Sequence, residues 1–310
     1  MYNFVYCFDK NFNTQSAVSI YSLLENVDEQ INLYIIHSEP NTFQEYSKKL
    51  SKHSKCKKID LIEVVTDISF PNIENTHISI ATYFRIFIFK YLKNLDHAIY
   101  LDSDTVVLKN PLGIFNDELR KLLDSENMIS AVDETTKEIS PDIFERLNLK
   151  GKKYFNAGVM IINLNKVKND NTFNNLISTM LSLNSKIKQW DQDVLNKHFD
   201  EQITELNPTL NVKIDADLES ENLTSPHTIL HYLGSKKPWH IEYLLMYPNN
   251  HFQLIYQQLT NSNNYFLTSK WKKNMLITYL KQIFKFKKFI SKKNYKLLQS
   301  LLAVLVKKND

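Results

Sequence analysis

Four short apolar runs, each separated from the next by a helix-patterned segment, restrict the fold of this chain more than any other feature. "NFVYCF" (3–8), "INLYIIH" (31–37), "KIDLIEV" (58–64) and "HAIYLD" (97–102) have the length and the β-branched and aromatic content of buried strands. Between them the spacing predicts three helices. The first, capped by Asn13 or Thr14, turns Ala17, Ile20, Leu23 and Leu24 to one face. The second is "NTFQEYSKKLSKH" (41–53) and the third, longer, is "ISIATYFRIFIFKYL" (78–92). Parallel strands need such crossovers, so the β-α-β-α-β-α-β order predicts an α/β domain around a mainly parallel central sheet.

Beyond residue 102 the rhythm changes. A turn is expected at 110–117, a strand at 128–133 and a long polar loop at 133–153. "YFNAGVMIINL" (154–164) reads as a strand, 172–183 and 191–199 as helices, 227–240 as a strand running into a loop, and the stretch near 241–260 as a helix. At 310 residues, 43% hydrophobic and 23% charged, the chain can bury a full core and is not disordered. Its two cysteines, Cys7 and Cys56, make no disulfide framework and fit a reducing compartment. The N-terminus lacks a basic region followed by a long apolar one, and no apolar run approaches the ~20 residues of a membrane span, so neither a secretory signal nor a spanning helix is expected.

The aspartates Asp102 and Asp104 follow the fourth strand, in "YLDSDTVV". Ligands of open α/β sheets bind outside the carboxyl ends of the strands, and carboxylates at i and i+2 can both face Mg²⁺ or Mn²⁺. Aspartates also end strands without further purpose. A third reading is a Mg²⁺-dependent phosphohydrolase with Asp102 as nucleophile, since D-x-D-x-V resembles the haloacid-dehalogenase motif, although that motif normally follows the first strand. Asn156-Ala157-Gly158 interrupts a bulky strand in a chain with four glycines, which marks a bulge, a close ligand approach or tight packing. Asp191 and Asp193 flank Gln192 at a helix start, where acidic residues ordinarily complement the helix dipole. "HYLGSKKPWH" (231–240) gathers His231, Gly234, Lys237, Trp239 and His240, residue types suited to a phosphate and a metal.

Taken together, "DKNF" (9–12), "HISIATYFRI" (77–86), "YLDSD" (100–104), "YFNAGVMIINL" (154–164), "DQDVLN" (191–196) and "HYLGSKKPWH" (231–240) resemble glycosyltransferase family 8, in particular the bacterial lipopolysaccharide galactosyl- and glucosyltransferases. The resemblance implies a GT-A type nucleotide-sugar-binding domain over residues 1–262 and a retaining transfer of galactose or glucose from UDP-galactose or UDP-glucose to a saccharide. It implies that Asp9, Asn11 and Phe12 hold the nucleoside, Arg85 reaches the donor sugar, and Asp102, Asp104 and His231 bind Mn²⁺, with Mg²⁺ possible. Asn156, Ala157, Asp191 and Gln192 would line the sugar pocket, Gly234 and Lys237 would bind the diphosphate, and Gln192, Asp191 and Asp193 are the catalytic candidates. Phe12 stands where the family often has tyrosine, and 133–153 matches no acceptor-site motif. A catalytically silent UDP-sugar-binding protein is the remaining alternative.

Net charge is divided unevenly. Twelve lysines and one acid after residue 268 give the tail about +11 against −7 for the rest, within an overall +4. In 271–293, Leu276, Tyr279, Leu280, Ile283, Phe286 and Ile290 share one helical face, and Lys281, Lys285, Lys288 and Lys292 another. The expectation is a basic amphipathic helical region, 263–310, that meets an anionic membrane surface. That makes the protein cytoplasmic and peripheral on the inner face of the bacterial cytoplasmic membrane, with a glycan or glycolipid acceptor and no nucleic-acid partner.

Overall fold

The computed structural model describes residues 1–71, 80–135, 142–167, 171–214, 228–240, 243–244, 247 and 249–268. The expected basic helix at 271–293, and most of the region 263–310, lie outside these residues. The chain divides into two compact units, Met1–Val212 with Pro226–His231, and Lys213–Ser225 with Tyr232–Asp310.

In the first unit the four expected strands are β1 (Asn3–Phe8), β2 (Ile31–His37), β3 (Cys56–Glu63) and β4 (His97–Leu101), followed by a short β5 (Thr105–Val107). β6 (Ile129–Asp133), β7 (Phe155–Asn163) and β8 (Ile203–Glu205) complete a seven-stranded sheet in the order β3-β2-β1-β4-β7-β6-β8. Every pair is parallel except those of β7 with β4 and β6. All residues of β1, β2 and β7 are buried, as expected of strands covered on both faces. The first unit's long segment stops at Val212, the first residue of β9 (Val212–Ile214), and β10 (Ile229–Tyr232) pairs antiparallel with β5.

The helices are α1 (Asn13–Asn26), α2 (Gln44–Leu50), α3 (Ile88–Tyr91), α4 (Leu112–Leu123), α5 (Asp142–Leu147), α6 (Thr172–Leu183) and α7 (Trp190–His198). Three expectations are corrected. The long helix at 78–92 is mostly a 3₁₀ segment, Ile80–Phe87, ahead of the single turn α3. Its β-branched and aromatic side chains resist a regular α-helix, and a long 3₁₀ run marks a functional constraint. The turn at 110–117 is the start of α4, because Asn110-Pro111 opens the helix, with Asn110 Oδ1 accepting from Leu112 N–H. The polar loop at 133–153 contains α5, too short for its periodicity to stand out.

Chain order runs outward from β1 to β2 and β3, then returns to place β4 on the other side of β1. The carboxyl ends of β1 and β4 therefore flank a topological switch point, where an α/β sheet leaves its binding crevice. In the second unit, α8 (His251–Thr260) is capped by Asn250 Oδ1, and Trp239 packs on Phe252 with ring centroids 4.9 Å apart. No helix among the described residues is long and apolar enough to cross a membrane.

Candidate active site

Asp9 follows β1 directly and its Oδ1 accepts from Asn11 N–H at 2.9 Å, starting the 3₁₀ turn Lys10–Phe12. That turn sets Asn11 in solvent and leaves Phe12 half-buried. It is held from β2, where His37 Nε2 bonds Asn13 Oδ1 at 2.9 Å. The backbone N–H of Glu39 donates to His37 Nδ1 at 2.7 Å, so Nε2 carries the proton. Burial pushes the His37 pKa down to about 4 against the pull of Asp9 and Glu39, which keeps this support neutral.

Asp102 follows β4 directly, and its two oxygens face different partners. Oδ1 accepts from Tyr100 O–H at 2.5 Å and pairs with Arg85 Nη2 at 3.1 Å, while Oδ2 faces His231 Nε2 at 3.6 Å. Asp104 Oδ1 lies 3.1 Å from the same imidazole nitrogen. One ligand atom from each of Asp102, Asp104 and His231 falls within 4.8 Å of the others. Two carboxylates and an imidazole around one point form a donor set that fits a divalent cation. A row of buried hydroxyls holds the aspartate turn against α1, with Ser16 Oγ bonding Ser103 Oγ at 2.7 Å and Ser19 Oγ bonding Thr105 Oγ1 at 2.8 Å.

Arg85 joins three elements. Besides Asp102, its Nε is 2.6 Å from Asp191 Oδ2, its Nη1 donates to Ala157 O at 2.7 Å, and its guanidinium lies over the Tyr100 ring. Burial opposes the Arg85 charge, but Asp102 and Asp191 outweigh it and raise the pKa. Asp191 is 1% exposed. Burial pushes its carboxyl up to about 7, against Arg85, and the charge on Asp102 adds to the rise. Its contact with Arg85 is short but poorly aligned, and among the described residues neither of its oxygens accepts a well-formed hydrogen bond.

The small residues of β7 form the expected bulge. Ala131 pairs with Met160 but Val132 with Asn156, so Ala157, Gly158 and Val159 have no partner on β6. The backbone groups of Ala157 are thereby released to the site. Ala157 O accepts from Arg85 and Ala157 N–H donates to Gln192 Oε1 at 3.0 Å, while on the β4 side Gly158 O accepts from Asp102 N–H at 2.8 Å. Gly158 is needed for space, since a Cβ there would lie 2.2 Å from His231 Cε1.

Asp193 serves a different purpose from Asp191. It is fully buried and accepts from Arg146 at 2.7 Å, from Tyr154 O–H at 2.7 Å, and from the backbone N–H groups of Lys188 and Gln189 at 2.7 and 2.9 Å. This clamp holds the turn in which Trp190 adopts φ +46°, a strained value that only surrounding contacts sustain. Asp191 and Gln192 then project from the first turn of α7. Gln192 is tied at both ends, through Ala157 and through its Nε2 to Glu134 Oε2 at 3.2 Å.

Of the residues singled out from the sequence, Arg85, Asp102, Asp104, Asn156, Ala157, Asp191, Gln192 and His231 converge on the first unit's crevice, and Asp9, Asn11 and Phe12 stand at the end of the adjoining strand. Gly234 and Lys237 belong to the second unit. There Gly234 takes φ +75°, a left-handed conformation that favours glycine, and Lys237 Nζ donates to Tyr232 O at 2.5 Å. Tyr100, Glu134 and Asn211 escaped the sequence reading. Only Tyr100 carried a signal, as the residue two before Asp102 on the same strand face.

The Glycosyl transferase family 8 model matches residues 3–242. A Haemophilus influenzae protein that carries only the class name glycosyltransferase is 32% identical, covering 77% of this chain and 73% of its own. The lipopolysaccharide 1,2-glucosyltransferase of Escherichia coli K12 is 29% identical, with 77% and 72% covered. Among solved structures, the galactosyltransferase LgtC in complex with donor and acceptor sugar analogs superposes with a TM-score of 0.68 at 21% identity. The superposition covers 87% of this chain and 98% of LgtC and shows a shared GT-A-like fold. Asp102 follows the fourth strand and pairs with Arg85, so the phosphohydrolase reading is not favoured. A metal-dependent glycosyltransferase constellation at the switch point and a family match over most of its length establish that this chain belongs to glycosyl transferase family 8.

Proposed function

We propose that the protein moves galactose or glucose from a UDP-sugar to a saccharide hydroxyl, with retention of configuration, in the synthesis of lipopolysaccharide or another surface glycan. The observation that carries this reading is the Asp102–Asp104–His231 cluster beside the buried Arg85–Asp191 pair. Asp102, Asp104 and His231 would hold Mn²⁺, or Mg²⁺ in its place, which would supply positive charge to stabilise the negative charge that grows on the leaving UDP. Asp9, Asn11 and Phe12 take the nucleoside. Asp191, whose oxygens lack well-formed hydrogen bonds among the described residues, is suited to accept from donor-sugar hydroxyls, with Arg85 holding it in place.

Retention follows here without a protein nucleophile. Asp193 is sealed in its clamp and Gln192 is tied at both ends, which favours a front-face route with leaving phosphate and incoming hydroxyl on one side of the sugar. Mass spectrometry of enzyme quenched during turnover is expected to find no glycosyl adduct; one on Asp193 or Glu134, formed and consumed at the catalytic rate, would overturn this route.

Residues 269–310, with their lysine excess, are the part of the chain that meets an anionic membrane on the cytoplasmic side, near a lipid-linked acceptor. A chain truncated after Thr268 is expected to stop sedimenting with anionic vesicles, and undiminished sedimentation would refute the anchor.

The test of the donor reading is thermal denaturation with UDP-, GDP- and CMP-sugars, with and without Mn²⁺. A ligand at a hundred times its dissociation constant stabilises by about 2.7 kcal/mol. Stabilisation by UDP-sugars that requires Mn²⁺ is the expected result. No shift with any nucleotide sugar sinks the proposal.

A further inference from the structure

The β7 bulge contains a chain of hydrogen bonds whose polarity follows from a backbone amide. Gly158 N–H donates to Asn156 Oδ1 at 2.9 Å, so that atom is an acceptor. The Asn211 atom 2.8 Å from it must then be the donor, Nδ2. Asn211 Oδ1 is left facing His231 Nδ1 at 2.9 Å, so Nδ1 carries a proton. The other ring nitrogen, Nε2, is the one turned toward Asp104 Oδ1 and Asp102 Oδ2. Asn156, Asn211 and His231 are all buried, so water does not scramble the order.

The opposite end of the chain agrees. Asn156 Nδ2 donates to Glu134 Oε2 at 3.2 Å, the same oxygen that accepts from Gln192 Nε2. Gln192 is oriented separately by Ala157 N–H, another backbone donor. Two backbone amides therefore impose one consistent set of donors and acceptors, from Glu134 to the metal cluster.

We propose that Asn211 is a positioning residue of the metal centre: it holds His231 with the proton on Nδ1, reserving the Nε2 lone pair for the divalent cation, while Asn156 and Gly158 hold Asn211. The proposal rests on the reading that Asp102, Asp104 and His231 bind a cation. A metal-bound imidazole commonly donates its remote N–H to an oxygen that fixes its tautomer and orientation. A carboxamide suits this position because it must accept from His231 and donate to Asn156 at once. Leucine can do neither, and aspartate only the first.

The test is a Mn²⁺ titration of the full chain, followed by the electron paramagnetic resonance of the free ion, with and without UDP. The variants are N211A and N211D, with H231A as the reference for loss of a ligand. N211A is expected to weaken Mn²⁺ binding about 10–100-fold. N211D still accepts from Nδ1–H and is expected to bind within a few-fold of wild type, though it melts earlier because it cannot donate to Asn156. A merely structural residue would instead lose affinity in step with melting temperature.

Wild-type affinity in N211A overturns the proposal and leaves the metal reading standing; a wild-type chain that takes up no Mn²⁺ overturns both. A measurement that needs no variant is the ¹⁵N spectrum of the His231 imidazole in the wild type saturated with diamagnetic Mg²⁺. A protonated Nδ1 supports the proposal, and an unprotonated Nδ1 overturns it.

Discussion

Replacing Arg85 with methionine is expected to destabilise the protein by about 3–5 kcal/mol, because it strips the buried Asp191 and the partly exposed Asp102 of the cation they share. The loss is not that of a surface ion pair. Arg85 is 7% exposed and its guanidinium also satisfies Ala157 O, an acceptor released by the β7 bulge. Methionine keeps much of the packing and removes all of these donors. Pairing the change with D191N is expected to recover part of the stability, since Asp191 is the deeper of the two stranded charges. Urea denaturation of both variants checks this. An R85M protein within 1 kcal/mol of wild type would mean that the pairs contribute little. Donor binding is expected to fail in R85M and in the double variant alike, because neither restores the guanidinium.

Alanine at position 158 is expected to displace His231 from the metal cluster. The added Cβ would lie 2.2 Å from His231 Cε1, 2.7 Å from Nδ1 and 3.0 Å from Asn156 Oδ1. The imidazole cannot swing aside without losing Asn211 on one nitrogen and the approach to Asp104 on the other. Overpacking of this kind typically costs about 1–3 kcal/mol. Displacing the ligand should lower Mn²⁺ affinity about 10–100-fold or more. The double variant G158A/H231A separates the two effects, because it regains the space without regaining the ligand. It is expected to be more stable than G158A and to bind Mn²⁺ no better. G158A with unaltered Mn²⁺ affinity would show that the ring has room the present geometry denies it.

Much of the scaffold was legible because it rests on local pattern. The spans of β1 and β2 and of α6 coincide with the apolar runs and periodic segments in the sequence, since a strand buried on both faces needs a continuous apolar run. The stretch 80–91 departed from the pattern because Arg85 must reach Asp102, Asp191 and Ala157 at once, a requirement that no window of neighbouring residues expresses. Asp193 looked like an ordinary helix-start acid or a catalytic candidate. Its clamp depends on Arg146 from a helix that the sequence did not reveal and on Tyr154 at the entry to β7.

By itself the sequence determined the α/β class, the place of the aspartate pair at a strand's carboxyl end, and the residue types around it. Those depend on composition within a few residues of each other, where periodicity and turn chemistry act. Only the tertiary structure decided which groups meet. It divided the two oxygens of Asp102 between Arg85 and His231, and it turned Gly158 from a small residue in a strand into the floor beneath an imidazole. It also brought Asn211, 55 residues from Asn156, into the hydrogen-bond chain behind His231. Burial makes every such polar contact obligatory, and burial is a property of the packed sheet and its bulge, not of any segment alone.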